Sequence, residues 1–155
     1  MSAKRRQHSG PVLGSNRRAR YDYEILDVFE AGIVLVGTEV KSIRAGKIQL
    51  KDSYVEITDG EAFLVGAHVN PYSHGNRSNH EPERRRKLLL NRREIDRIYG
   101  RTILQGQTCV PLSVYLEGNH VKVEIALAKG KKLHDKRQSI KERILDREVA
   151  AALKG

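Results

Sequence analysis

Between Val110 and Ala128 the chain alternates in a way that only an extended backbone can use. Val110, Leu112, Val114 and Leu116 interleave with Pro111, Ser113, Tyr115 and Glu117. After Gly118-Asn119, Val121, Val123, Ile125 and Leu127 interleave with Lys122, Glu124, Ala126 and Ala128. Side chains of a strand point alternately to opposite faces, so each set lines one face. Joined by the short Gly-Asn turn, the two runs form an antiparallel hairpin with one face buried. Pro111 has no N–H for a ladder, which places it near a strand start or a sheet edge.

Shorter signals fill in the rest. Tyr23 to Val36 reads as two strands turned at Ala31-Gly32. Thr38 is placed to cap a short helix running to about Ala45, with Glu39 at its positive end and Gly46 just beyond it. Tyr54–Ile57 and Phe63–Val65 flank Asp59-Gly60, a two-residue hairpin signal. A polar loop follows at 70–83. Asn91 and Glu94 have the spacing of a capping box, with Leu90 and Ile95 as its staple. Ile95, Ile98 and Tyr99 then share one helix face. The predicted fold is mainly β with added helices, an OB-like antiparallel β-barrel of about six strands, closed or nearly so to remove exposed edges. It spans residues 16–130, after a disordered basic arm at 1–15 and before a basic tail at 131–155 that is marginal as an isolated helix.

Charge narrows the function. The 155 residues carry 29 Lys+Arg against 19 Asp+Glu, a net charge of +10. Three stretches, 4–20, 84–101 and 129–155, hold 23 of those 29 basic side chains. Clustered cations attract polyanions, and no run is interleaved with a strong apolar stripe, so nucleic acid is favoured over a membrane surface. The single cysteine, Cys109, allows neither an intrachain disulfide nor a cysteine-based zinc site. No apolar segment follows the basic N-terminus or reaches membrane-spanning length, so a soluble, cytoplasmic protein is expected.

No catalytic constellation stands out. His68, His74 and His80 recur every six residues, which suits neither a helix face nor the usual short ligand pairs, so no metal is expected. Lys129-Gly130-Lys131-Lys132 lacks phosphate-loop spacing, and no nucleophile elbow is present. An RNase using His120 or His134 is the enzymatic alternative, and neither enzyme activity nor a cofactor is expected. The binding candidates are more specific. Asn16-Arg17-Arg18-Ala19-Arg20 leads into the first strand, and arginine both chelates phosphates and stacks on bases. Lys41 and Arg44 share a helix face, with Lys47 just after it. Arg84-Arg85-Arg86-Lys87 precedes Leu88-Leu89-Leu90; two of these leucines suit a core, and an exposed one could pack on a splayed base. In the tail, Lys129, Lys131, Lys132, Lys136 and Arg137 suit an RNA backbone, with His134 able to stack.

These residues carry a resemblance. Asn16 to Arg20, Phe29-Glu30-Ala31-Gly32, Gly37-Thr38-Glu39-Val40-Lys41-Ser42, Arg44-Ala45-Gly46-Lys47, Asp59-Gly60-Glu61, Arg86-Lys87-Leu88-Leu89-Leu90-Asn91, and Lys129-Gly130-Lys131-Lys132 with Asp135-Lys136-Arg137 together resemble the SsrA-binding protein family, also called small protein B. The blocks span roughly residues 16–140 in order. The resemblance implies an OB-like barrel; a monomer is expected. It implies binding to the tRNA-like domain of transfer-messenger RNA and delivery of that RNA to stalled ribosomes, in trans-translation. By position, Asn16, Glu30 and Leu89 correspond to RNA contacts. His134, Asp135, Lys136 and Arg137 fall in the tail that meets the small-subunit decoding centre and enters the empty mRNA channel. The alternative is a general ribosome-associated OB-type RNA-binding protein.

Overall fold

A computed structural model describes residues 10–73, 79–131 and 144. The strands are β1 (Val12–Ser15), β2 (Tyr23–Ile33), β3 (Ile48–Gln49), β4 (Tyr54–Thr58), β5 (Glu61–Val65), β6 (His68–Val69), β7 (Arg86–Leu89), β8 (Thr108–Glu117) and β9 (His120–Gly130). The helices are α1 (Ala19–Asp22), α2 (Gly37–Arg44) and α3 (Arg92–Tyr99), the last continuing as a π turn over Gly100–Leu104. Seven strands form one antiparallel sheet in the order β1-β8-β9-β2-β7-β5-β4, and β3 pairs with β6. The sheet curls until β4 packs beside β8, but among the described residues its edge strands β1 and β4 are not paired with each other. The barrel is therefore open along that seam.

Several local expectations change. Val12–Ser15, expected in the disordered arm, pair with Ser113–Tyr115 as β1, and the rest of that arm at 1–9 lies outside the described residues. Tyr23 to Ile33 is one strand without a turn at Ala31-Gly32, because β9 pairs along nearly all of it. Helix α2 starts after Val36, whose N–H donates to Glu39 Oε1 at 2.8 Å; Thr38 is not its cap, since its hydroxyl lies 2.8 Å from His80 Nδ1. Tyr99 is exposed, so Ile98 anchors α3 without it. The expected box at the start of α3 does form: Glu94 N–H donates to Asn91 Oδ1 at 2.9 Å, and Asn91 N–H to Glu94 Oε1 at 3.1 Å.

The long hairpin is buried on both faces. Val121, Val123, Ile125 and Leu127 join Phe29, Ile43, Leu64, Leu88 and Ile98 in the main core. The companion set on β8 splits, since a bulge between Pro111 and Ser113 adds one residue and reverses the alternation. Val114 therefore faces the main core, while Val110 and Leu112 turn to the outer face, where Ala19 of α1 covers them with Ala126 and Ala128. At the bulge Asn16 replaces part of the ladder. Its N–H donates to the Leu112 carbonyl at 2.8 Å, and its side-chain amide donates to the Pro111 carbonyl at 3.0 Å.

A buried polar network fixes the end of the barrel beside α2. Glu39 and Arg86 are fully buried. Arg86 Nε donates to Glu39 Oε2 at 2.5 Å, and Arg84 Nη2 donates to Oε1 at 2.7 Å. Arg86 also donates to the carbonyls of Ala67 and Pro82, each at 3.0 Å, tying α2 to β7 and to the 80–84 segment. Burial alone would raise the Glu39 carboxyl, but hydrogen bonds from Arg84, the Val36 N–H and Arg86, with the charge of Arg86, hold it below the usual carboxylate range.

Candidate nucleic-acid interface

The outer face of the β7-β2-β9-β8 region collects polar groups far apart in sequence. Residues opposite one another in an antiparallel ladder share a face. Leu89 stands opposite Gly32, Gly32 opposite Lys122, and Lys122 opposite Tyr115. The next row on that face is Glu30, Glu124 and Ser113. Gly32 leaves room for its neighbour: a Cβ there would meet Leu89 Cβ at 3.2 Å. Leu89 lies across this gap and is 54 % exposed, while Leu88 points into the core at 1 %.

Opposed carboxylates repel, so Glu30 beside Glu124 needs donors. Tyr115, itself only 1 % exposed, supplies one, its hydroxyl donating to Glu30 Oε2. Glu124 is 2 % exposed, whereas Glu30 remains half-buried at the surface. Ser113 Oγ is buried without a hydrogen-bond partner among the described residues. An acidic row suits the donor edges of bases and ribose hydroxyls and repels phosphates, so cations around it must carry the backbone.

Some of those cations are present. Arg17, Arg18 and Arg20 are exposed at the start of α1, next to Asn16. Arg18 lies 5.3 Å over the Tyr21 ring and 3.6 Å from Asp22. Lys41, Arg44 and Lys47 are exposed on and after α2, which packs on β1 and β6, and Lys41 reaches over Tyr72. They are thus grouped with one another and not in the Leu89–Tyr115 row. Lys87 points outward with Leu89 but pairs with Glu61 at 3.1 Å. Arg86 is a correction. Alternation along β7 sends Arg86 inward with Leu88, where its donors are bound to Glu39 and to backbone carbonyls, so it is not a surface RNA contact.

In the tail, Lys129 is exposed opposite Glu24, and Lys131 donates from its N–H to the Asp22 carbonyl at 3.0 Å and from Nζ to Arg20 O at 2.9 Å. Lys132, His134, Asp135, Lys136 and Arg137 lie outside the described residues. So does His74, while His80 is buried and its Nε2 donates to the Val69 carbonyl at 2.9 Å. Sequence reasoning missed Tyr115 and Glu124 as neighbours of Glu30, and Ser113 and Lys122 as members of the same face. Their signal was the polar half of the hairpin's alternation, but only the β2–β9 and β8–β9 registers gather them on one face with Glu30.

The molecule is a small, open antiparallel barrel with a carboxylate row on one outer face and arginines at its margin, the make-up of a nucleic-acid-binding barrel. The chain belongs to the SmpB protein family, whose profile matches residues 13–155. It is 55 % identical over 150 residues to the SsrA-binding protein of Trichormus variabilis, covering 96 % of this chain and 97 % of the relative. It is 51 % identical over 143 residues to the SsrA-binding protein of Carboxydothermus hydrogenoformans, covering 92 % and 96 %. A chain from a solved structure described as "tmRNA-SmpB: a journey to the center of the bacterial ribosome" matches with a TM-score of 0.67 at 45 % identity. That match covers 81 % of this chain and 92 % of the other.

Proposed function

We propose that this protein binds the tRNA-like domain of transfer-messenger RNA and delivers it to stalled ribosomes for trans-translation. The observation that carries the reading is its near-full-length identity to proteins named SsrA-binding protein, together with the likeness to a tmRNA-SmpB chain. The barrel is the RNA-binding body: Leu89 and Glu30 meet bases and ribose, while Asn16, Arg17, Arg18 and Arg20 meet the strand beside them. Lys41, Arg44, Lys47 and Lys87 add phosphate contacts. The tail from Lys131 onward reads the empty mRNA channel and decoding centre. The protein positions the RNA, and the ribosome performs the chemistry.

The test compares binding to the tRNA-like domain with binding to an ordinary tRNA across a salt series. Salt screens phosphate contacts but not shape recognition. Affinity that falls with salt while the preference persists supports the reading. Equal affinity for both RNAs, collapsing together, refutes it and leaves a general OB-type RNA binder. Truncation after Lys131, which keeps its bonds to α1, is expected to preserve RNA binding and abolish tagging.

A further inference from the structure

The open seam of the barrel holds a cleft of about 270 Å³ where β4 lies beside β8 without pairing. Its walls include Tyr23 at the start of β2 and Tyr54 at the start of β4, with Val110 and Ala19 among its apolar surface. Lys51 and Arg18, the latter 3.6 Å from Asp22, bring positive charge to it, and Asp52 and Thr108 bring oxygen acceptors. Tyr54 is 44 % exposed although it sits in a strand, and it lines this cleft. Asp52 is held at φ 61°, a left-handed conformation that costs a non-glycine residue energy and shapes the turn into β4.

We infer that this cleft takes one unstacked nucleobase of the bound RNA, by preference one carrying an exocyclic amino group. Three observations favour that occupant. The volume is small for a drug-sized ligand and suits a single flat ring with its immediate substituents. A tyrosine face with a nearby guanidinium is the usual platform for an unstacked base. Carboxylate and hydroxyl oxygens accept from an amino group, which uracil lacks. Asn16 and Arg18 line the cleft and also belong to the stretch expected to follow the RNA strand, so a base leaving that strand has a short path into it. The tail starts at the same place, since the Lys131 N–H is bound to the Asp22 carbonyl and Tyr23 pairs with Gly130. A base seated here therefore lies at the root of the tail, distinct from the Leu89–Glu30 face.

This inference rests on the RNA reading above, and its test separates the two. The full chain is titrated with the tRNA-like domain of transfer-messenger RNA. Tyr54→Ala is expected to weaken binding roughly 5- to 100-fold, the loss typical of one base–aromatic stack, without changing the salt slope. Tyr54→Phe keeps the stack and is expected to bind within about twofold of wild type. Lys51→Ala, which removes one cation from the cleft wall, is expected to flatten the salt slope by about one unit instead. Ultraviolet cross-linking of the wild-type complex, followed by mass spectrometry, is expected to join a base to Tyr54 or Tyr23. Folded Tyr54→Ala that binds like wild type overturns the inference. If circular dichroism shows that variant unfolded, the wild-type cross-link decides, and its absence from both tyrosines overturns the inference too. Failure at the cleft with Leu89→Ala still weakening binding leaves the RNA reading standing, whereas loss of selectivity in the wild type removes both.

Discussion

Replacing Glu39 with Gln tests whether the buried network holds the barrel end together. Glu39 is fully buried and accepts from Arg86 Nε at 2.5 Å, Arg84 Nη2 at 2.7 Å and the Val36 N–H at 2.8 Å. The amide keeps the shape but removes the counter-charge of a guanidinium that is itself fully buried. Breaking such a pair by removing one partner typically costs about 3–5 kcal/mol. For a chain of this size that corresponds to a fall in Tm of roughly 10 °C or more. Thermal and urea melts of Glu39→Gln, Arg86→Met and the Glu39→Met/Arg86→Met pair are the assay. The single variants are expected to lose most, and the double to recover much of it, because apolar groups of similar volume need no counter-charge. The pH dependence adds a second reading. The folded Glu39 carboxyl titrates below its ordinary value, so its contribution is fully present above that ordinary value and is lost as pH falls through the folded value. Glu39→Gln is expected to remove that share of the acid-limb slope. A loss under about 1 kcal/mol with an unchanged acid limb would refute the reasoning, since a buried guanidinium without its partner cannot be that cheap.

Leu89→Ala removes a side chain already 54 % exposed. Stability is expected to stay within about 0.5 kcal/mol, while affinity for the tRNA-like domain falls roughly five- to tenfold as the contact is lost; melts and RNA titration read the two. Gly32→Val drives a side chain against Leu89, where even a Cβ comes within 3.2 Å. RNA binding is expected to weaken, and Gly32→Val/Leu89→Ala to bind no worse than the worse single variant. Asn91→Ala removes the α3 cap and is expected to cost about 1 kcal/mol in urea melts. Burial pushes the Cys109 thiol above its ordinary range, so native protein is expected to resist a thiol reagent that labels the unfolded chain at once.

The candidate RNA contacts divide by whether their position depends on local or distant partners. That Arg17, Arg18 and Arg20 are exposed was legible from a short basic motif, which is local information, whereas Asn16 and Leu89 were singled out only through the family resemblance. The role of Arg86 was not legible, because its counter-charge, Glu39, is 47 residues away and meets it only when α2 folds over the barrel end. A basic run read without that partner looks like a solvated or phosphate-binding surface. The tertiary structure turned Arg86 fully inward and drew Arg84, still partly exposed, onto the same carboxylate.

Periodicity and capping chemistry by themselves determined the β8–β9 hairpin, the Asp59-Gly60 turn and the start of α3, since each depends on side chains a few residues apart. Long-range pairing, in contrast, makes β2 run unbroken beside β9 and lets β1 extend the sheet into the expected arm. The bulge at Pro111, which sends Val110 and Leu112 outward beneath α1, likewise depends on distant partners. Register then placed Tyr115 against Glu30 and left the seam with Tyr54 open. Strand order and register are set by the joint burial of distant faces, which no local window of sequence contains.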